Sequence, residues 1–373
     1  MEIERQWTAG FEQLRAFGKI TLNKEKREKT TMSTLGTLEE LPAEYLASLR
    51  SSNLVPLWPS LRALLPPERP KSATSICRWG WRDIRPLLMQ AGDLTPMEKA
   101  ERRVLVLANP GRGLDALQAS ACIYLGMQLV LPGENAPNHK HTPNAARFVV
   151  EGSGGVTIVG GESCQMEPGD LILTPTWQWH EHRHSGPGPM IWLDVLDVPL
   201  MVAMDVSYHI NGKTQKASKP GWTYASGGLA PIRDGMRVTS EYPLLRYPWL
   251  RTRAALASMA ASLSSKETAM LAYVNPETGS DCLNTIAFSV LMLRPGEEAE
   301  LPRMSAARML HVVEGEVQAL VESTTLDLSQ ADTACAPGWS TLKLQNRSAR
   351  APAFVAIADE SPVHRKLGIF EQR

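Results

Sequence analysis

The hydrophobic pattern changes twice along the chain. Residues 36 to about 100 carry apolar side chains at helical spacing, in TLEELPAEYLASLRSSNLVPLWPSLRALL, and the two prolines at 66–67 would stop that run. From about residue 101, short apolar runs between glycine and proline turns predict strands instead. Residues 249–263, WLRTRAALASMAASL, have the spacing of an amphipathic helix, and strand-like runs resume from about residue 271.

One strand-like run carries two histidines separated by a single residue. In GENAPNHKHTPNAARFVVEG, His139 and His141 leave the same face of a strand, with α-carbons roughly 6.6 Å apart. A second turn and strand, MEPGDLILTPTWQWHEH, lead to His180. Neutral imidazole is a common ligand of divalent transition metals. His139, His141 and His180 therefore form a candidate metal site that leaves coordination positions open.

The same motif occurs twice in the chain. PGENAPNHKHTPNAARFVVEG recurs as PGEEAELPRMSAARMLHVVEG, with both motif glycines in register 163 positions later. Such self-similarity predicts two related domains. The second copy lacks the histidines: the positions of His139, His141 and His180 are taken by Pro302, Met304 and Leu342. We therefore expect one metal site per chain, and a structural role for His311, which falls opposite Phe148.

These motifs resemble the two sequence motifs of cupins. The stretch from 124 to 199, with RFVVEG, GDLILTP, WHEH and WLDVLDVP, resembles the gentisate 1,2-dioxygenase branch of the bicupins, which includes salicylate and 1-hydroxy-2-naphthoate dioxygenases. The resemblance continues more thinly from LVPLW through YVNPETG to the C-terminus. It implies a mainly β fold: a bicupin of two jelly-roll β-barrels, with an N-terminal helical cap and a helical connection.

A chain of 373 residues is long enough for two such domains and an appendage. The predicted organisation has five segments: a flexible N-terminal extension at 1–35, a helical cap at 36–100, a metal-binding cupin at 101–200, a connection with a helix at 201–270, and a degenerate cupin without a metal site at 271–373.

The ligand set narrows the chemistry that the resemblance implies. Many cupins place a glutamate four or five residues after the histidine pair, where this chain has Ala145 and Ala146. This difference argues against oxalate oxidase and quercetin-cleaving activities. The resemblance implies Fe(II) and cleavage of gentisate by O2 to maleylpyruvate. Alternatives are a dioxygenase for salicylate, substituted gentisates or 1-hydroxy-2-naphthoate, a zinc or manganese sugar isomerase, and a ligand-binding or storage bicupin.

Arginines are candidates for binding the substrate carboxylate. Arg147 shares strand parity with the histidines if the strand resumes after Pro143, and its planar guanidinium suits a carboxylate. The alternative is an ion pair between Arg147 and an internal acid. The resemblance adds Arg103 as a second substrate contact, and the neighbouring Arg102 leaves open which of the two faces the site.

Two further polar residues receive catalytic roles from the resemblance. His182 is placed beside the substrate hydroxyl or dioxygen, and the opposite assignment, with His182 as the ligand and His180 as its neighbour, stays open. Asp194 is placed at the ring hydroxyl para to the reacting one. His184 is expected in solvent.

A third group of candidates lies on one predicted strand. Tyr124, Gly126 and Gln128 alternate and so share a face. The resemblance makes this face a wall of the substrate pocket. For Tyr124, ordinary core packing is an equal alternative.

Composition excludes several classes of protein. Lysine and arginine together equal aspartate and glutamate at 39 each, and no basic patch indicates nucleic-acid binding. The chain has no apolar run of about 18 residues that would span a membrane. Five separated cysteines without a CxxC motif fit reduced thiols in the cytoplasm. The expected partners are a small aromatic acid and O2, and the resemblance implies a homotetramer.

Overall fold

The computed structural model describes residues 36–61, 65, 68, 70–214, 219–220, 232–237 and 240–373. The predicted extension at 1–35 and the two prolines at 66–67 lie outside these residues. The chain divides into two compact units, residues 1–71 and 72–373. The fold is mainly β, as predicted.

The described part of the first unit contains short helical segments. It contains a 3-10 helix, Leu38–Glu40, and helix α1, Ala43–Ser51. The expected longer helix ends because Asn53 takes the left-handed conformation, with φ of 54°, and Pro56 follows. Leu61 is again helical, and its carbonyl accepts a hydrogen bond from the Leu65 N–H at 2.9 Å.

The second unit has short helices between its strands in the sequence. They are α2 (Trp81–Leu94), α3 (Met97–Ala100), α4 (Val198–Ala203), α5 (Trp249–Ser262) and α6 (Ser361–Lys366), with 3-10 turns at Pro110–Arg112 and Leu114–Ala116. The predicted helix at 249–263 is confirmed by α5. Within the described residues, every helix is too short or too polar to cross a membrane.

The strands form two pairs of facing sheets and one small hairpin. The bounds are β1 (Cys77–Trp79), β2 (Val104–Val106), β3 (Tyr124–Val130), β4 (Asn135–His141), β5 (Ala145–Glu151), β6 (Gly155–Val159), β7 (Glu162–Met166), β8 (Leu171–Thr174), β9 (His180–His184), β10 (Met190–Leu196), β11 (His209–Asn211), β12 (Lys219–Pro220), β13 (Ile232–Arg233), β14 (Met236–Arg237), β15 (Arg246–Tyr247), β16 (Ala269–Ala272), β17 (Ala287–Leu293), β18 (Glu298–Leu301), β19 (Arg308–Glu314), β20 (Val317–Val321), β21 (Thr324–Leu328), β22 (Thr333–Ala336), β23 (Leu342–Gln345) and β24 (Ala353–Asp359).

The two sheet pairs repeat one topology, which confirms the predicted duplication. The first sheet pair has strand orders β15-β8-β5-β10-β3-β2 and β11-β4-β9-β6-β7-β12. The second sheet pair has the matching orders β1-β22-β19-β24-β17-β16 and β18-β23-β20-β21. The strand that precedes each half lies on the sheet of the other half: β1 pairs with β22, and β15 pairs with β8.

Acidic turn residues hold this exchange in place. Asp170, before β8, accepts a hydrogen bond from the backbone N–H of Trp249 at 2.8 Å, at the start of α5. Asp332, before β22, accepts the corresponding bond from Trp81 at 2.7 Å, at the start of α2. Each carboxylate satisfies a free N–H at a helix N-terminus and lies at the positive end of the helix dipole. Each half therefore caps the helix of the other.

The two sheet pairs also share one hydrophobic core. Phe148 contacts Phe288 and His311, with ring centroids 5.8 and 6.0 Å apart. His311 is buried and its Nδ1 lies 3.1 Å from the Thr333 hydroxyl, which agrees with the predicted structural role. Glu360, near the C-terminus, accepts a hydrogen bond from the Cys122 N–H at 2.9 Å, close to the start of β3.

Truncation after about residue 265 is expected to yield insoluble or unfolded protein. The shortened chain would expose Phe148 and the remaining shared core and would remove Glu360 from the segment before β3. Circular dichroism and size-exclusion chromatography of the fragment beside the full chain would measure this. A soluble fragment with native β content would contradict the proposal that the second sheet pair is structurally required.

Candidate metal centre and active site

Three histidines converge between neighbouring strands of the first sheet pair. His139 and His141 lie on β4, and His180 lies on β9 directly opposite His139. The ring centroid of His180 is 4.2 Å from that of His139 and 4.8 Å from that of His141. One nitrogen of each ring lies within 4.8 Å of the others, and the described residues contain no other such cluster of three ligand side chains. The structure thus brings together the three predicted ligands.

Hydrogen bonds fix the orientation of all three rings. Nδ1 of His139 lies 3.1 Å from the Pro137 carbonyl, Nδ1 of His141 lies 2.7 Å from the Pro143 carbonyl, and Nδ1 of His180 lies 2.9 Å from the Gln178 carbonyl. A carbonyl only accepts, so Nδ1 of His141 and of His180 carries the hydrogen and Nε2 of each carries a lone pair. Nδ1 of His139 also lies 2.8 Å from Arg102 Nη2, which can only donate. Nε2 of His180 is buried without a partner. This is the arrangement that metal-binding histidines require.

Burial keeps the three imidazoles neutral. It lowers the pKa of His139 to about 3, assisted by the nearby guanidinium of Arg102. It lowers the pKa of His141 to about 4 and that of His180 well below its ordinary value. Neutral imidazole is the form that binds metal, so the site is suited to a metal ion at neutral pH.

The other two histidines of β9 have different surroundings. His182 is buried, and its Nδ1 lies 2.9 Å from the Thr157 hydroxyl, with its ring centroid 6.0 Å from that of His180. His180, and not His182, therefore belongs to the cluster. His184 was expected in solvent, but it is 3% exposed and its Nε2 lies 2.5 Å from the Gly188 carbonyl. That expectation was wrong because the loop after β9 folds back over the ring.

Arg147 and Asp194 face the histidines from the opposite sheet. They lie directly opposite each other on β5 and β10, so their side chains share the inner face. Arg147 Nε lies 3.1 Å from Asp194 Oδ1, and Nη1 donates to the Thr174 hydroxyl at 2.7 Å. Arg147 therefore forms an ion pair with an internal acid, Asp194, which was the alternative to binding a substrate carboxylate. Burial raises the pKa of Asp194 to about 6, although Arg147 and the Trp192 indole N–H oppose that rise.

The structure places Arg102, and not Arg103, beside the histidines. Arg102 Nη2 lies 2.8 Å from His139 Nδ1 and 3.1 Å from His139 Nε2. Arg103 points the other way, donating to both carboxylate oxygens of Glu134 at 2.9 and 2.7 Å and to the Thr95 carbonyl at 3.0 Å. The reason is strand register: Val104 on β2 pairs with Gln128, and Arg102 has the same parity as Val104. The predicted position of Arg103 in the site is corrected accordingly.

Tyr124, Gly126 and Gln128 follow β3 along the same inner face. Gly126 lies opposite Asp194, and a Cβ there would be 2.6 Å from a methyl group of Val104 and 2.7 Å from the Tyr124 hydroxyl. No larger residue fits at this position without displacing its neighbours. Gln128 is 3% exposed and its Nε2 has no hydrogen-bond partner.

Sequence reasoning missed one residue of this site, Trp192, and left open whether Arg102 or Arg103 faces it. Trp192 lies on β10 opposite Gln128, and its ring centroid is 5.0 Å from that of His182. Its parity with Asp194 in WLDVLDVP was a signal for the same face. The partner strands that complete the site were not visible in the sequence.

The corresponding space in the second sheet pair is filled by apolar side chains. Leu342 stands at the position that matches His180 and is fully buried, in a cluster with Leu310 and Leu344. Met304 matches His141 and is 9% exposed. These side chains provide packing and no metal ligands.

Comparison with known proteins identifies the family. Residues 126–196 match the model of the cupin domain. The chain is 54% identical to a gentisate 1,2-dioxygenase of Ralstonia sp over 94% of this chain and 99% of that protein. It is 32% identical to gentisate 1,2 dioxygenase 1 of Aquipseudomonas alcaligenes over 88% of this chain and 95% of that protein. A structure of salicylate 1,2-dioxygenase from Pseudoaminobacter salicylatoxidans with gentisate superposes with a TM-score of 0.82 at 30% identity, covering 92% of this chain and 96% of that one. With the same duplicated topology and a histidine cluster in the first sheet pair, this chain belongs to the cupin family of ring-cleaving dioxygenases that includes gentisate 1,2-dioxygenase.

Proposed function

We propose that the protein is an Fe(II)-dependent dioxygenase that converts gentisate (2,5-dihydroxybenzoate) and O2 to maleylpyruvate. The ring bond between the carboxyl-bearing carbon and the adjacent hydroxyl-bearing carbon breaks, and both oxygen atoms enter the product. The observation that carries this proposal is the cluster of three neutral histidines beside half-buried Arg102 and facing buried Arg147 and Asp194. The 54% identical relative bears the name of this activity.

His139, His141 and His180 would hold the metal through Nε2. When bound, Fe(II) supplies the one-electron chemistry that allows an aromatic ring to react with dioxygen. The positions where many cupins have a glutamate ligand are buried alanines on β5, Ala145 and Ala146. Because alanine has no carboxylate, the ligand set consists of histidines. A neutral histidine shell leaves the positive charge of the metal available to an anionic substrate.

Charge balance supports binding of a carboxylate. Arg103 is neutralised by Glu134, and Arg147 is paired with Asp194. Arg102 keeps no carboxylate within ion-pair distance in the described residues, so the site carries an excess positive charge beside His139. We infer that Arg102 and Arg147 together hold the substrate carboxylate. Tyr124 and Gly126 would line the pocket around the aromatic ring of the substrate.

Two buried residues are placed to handle hydroxyl protons. Neutral His182, beside His180, would exchange a proton with the substrate hydroxyl next to the carboxylate. Asp194 would accept a hydrogen bond from the hydroxyl para to it. That bond increases electron donation from the ring, which favours its reaction with dioxygen.

The proposal extends to assembly and location. We infer that the protein is a homotetramer, as the family resemblance implies. We also infer that it acts in the cytoplasm, since all five cysteines are free thiols. Sedimentation analysis of the purified protein would give the subunit number.

Protein reconstituted with Fe(II) under anaerobic conditions is expected to saturate near one iron per chain. It should then consume one O2 per gentisate. Metal analysis, an oxygen electrode and mass spectrometry of the product formed from labelled oxygen would measure these quantities. Cleavage of salicylate or hydroxynaphthoate in place of gentisate would favour those activities. Turnover without oxygen uptake would favour an isomerase, and no turnover of any aromatic acid would favour a binding protein.

A further inference from the structure

Trp192 has a buried hydrogen-bond donor near the Asp194 carboxylate, but no acceptor lies at hydrogen-bonding distance and angle in the folded protein. The side chain is 1% exposed, and its Nε1 has no partner among the described residues. Its ring packs against His182. Packing explains an aromatic residue at this position, but phenylalanine would pack in much the same way, so packing does not explain the indole N–H.

The groups around this donor are also unpaired. Gln128 lies directly opposite Trp192 on β3, and its Nε2 lacks a partner. Asp194 lies two residues further along β10 on the same face, and its Oδ1 has no hydrogen bond although Arg147 Nε is 3.1 Å away. Buried polar groups in native proteins are nearly always paired, and unpaired ones indicate a ligand or water. Two donors and one acceptor thus face the same interior beside the histidines.

The set matches one kind of substituent. A hydroxyl both donates and accepts, so it can pair with a carboxylate and an N–H at once. An aromatic amine donates, but its lone pair is delocalised into the ring and accepts poorly. A hydrogen atom does neither.

We propose that Trp192 is a specificity-determining residue whose Nε1–H donates to the second hydroxyl of the substrate, while that hydroxyl donates to Asp194 and Gln128 supplies a further donor. This proposal rests on the proposed function, because it assigns the distal hydroxyl of gentisate to this corner of the site. It adds that the protein selects a hydroxyl over an amine or a hydrogen at that ring position.

Trp192→Phe removes the N–H and keeps an aromatic ring. Anaerobic calorimetry on the iron-loaded protein is expected to show gentisate binding weakened about tenfold, as for one lost hydrogen bond. Binding of 5-aminosalicylate, with an amine at that position, and of salicylate, with a hydrogen, should change less than twofold. The unfolding midpoint of the ligand-free variant should change little, because the Trp192 N–H has no acceptor at hydrogen-bonding distance and angle and acts on Asp194 only through its weak dipole.

Trp79→Phe is the matched control. The Trp79 indole N–H already donates to the Ala108 carbonyl at 3.3 Å, so this change should lower the unfolding midpoint and leave the binding of all three acids unchanged. An equal loss for the three acids in Trp192→Phe, or no loss for gentisate, would overturn the proposal. A lowered midpoint with unchanged selectivity would assign the N–H a structural role. If the unaltered protein fails to bind gentisate, the proposed function itself fails, and that result is separate.

Discussion

Replacing His180 with alanine is expected to abolish both iron binding and oxygen consumption. The ring supplies one of three protein ligands, and it is the most buried of the three. A water in its place would lack the hydrogen bond that orients the ring, between Nδ1 and the Gln178 carbonyl. His139→Ala and His141→Ala should have the same result. Metal analysis after anaerobic reconstitution and gel filtration would measure iron directly.

Two other histidine variants separate ligand loss from loss of packing. His182→Ala should retain iron and lower the turnover rate, since His182 lies beside the cluster and not in it. His311→Ala removes an equally buried ring from the second sheet pair and should retain both iron and turnover. Full iron in His180→Ala together with none in His182→Ala would reverse the assignment of the two residues.

Arg147→Met is expected to lower the free energy of unfolding of the metal-free protein by about 3 to 5 kcal/mol, the usual cost of breaking a buried ion pair. Both side chains are nearly inaccessible, at 5% and 7% exposure. The variant leaves the Asp194 carboxyl buried without its cation and the Thr174 hydroxyl without its donor. Urea unfolding followed by tryptophan fluorescence would measure the difference from the unaltered protein.

The loss should depend on pH in a defined direction. Burial raises the pKa of Asp194 from 3.8 to about 6, so the folded protein holds this proton more tightly than the unfolded chain. The contribution of Asp194 to the free energy of unfolding therefore falls as pH rises through that interval and levels off above it. Without Arg147 the pKa rises further, and the fall continues to higher pH. The destabilisation should be larger at pH 8 than at pH 5.

Two companion variants test the cause. Asp194→Asn in the Arg147→Met background should recover part of the lost stability, because no charge is then left buried. Arg147→Lys should retain more stability than Arg147→Met but bind gentisate more weakly than the unaltered protein, since an ammonium cannot reproduce the fork of the guanidinium. Equal destabilisation at both pH values would show that lost packing, and not the charge of Asp194, causes the effect.

The sequence pattern was sufficient for the duplicated β fold and the histidine cluster. Alternation places His139 and His141 on one face wherever the strand lies in the sheet. The repeated glycine-flanked motif predicted two related halves, and their sheets have the same strand order. The same alignment of the two motifs placed Pro302, Met304 and Leu342 at the histidine positions and so predicted a second half without a metal site. Each of these conclusions depends on local spacing along one segment.

Other predictions failed where conformation depends on a single residue or on a returning loop. The helical spacing does not continue α1 past Ser51, because Asn53 in the left-handed conformation ends the helix. The buried environment of His184 depends on the loop that brings the Gly188 carbonyl over the ring. Neither the left-handed conformation of Asn53 nor the path of the loop at Gly188 is visible in the spacing of hydrophobic residues, on which the predictions were based.

Alternation along a strand therefore predicts which side chains share a face, whereas the pairing of strands depends on the folded structure. Arg102 enters the site in place of Arg103 because β2 pairs with β3 in one register, and a shift by one residue would reverse the two. The exchange of β1 and β15 between the halves likewise depends on the capping of α2 by Asp332 and of α5 by Asp170. Such pairings join residues far apart in the chain and are selected by burial and hydrogen bonding in the folded state, which local periodicity does not record.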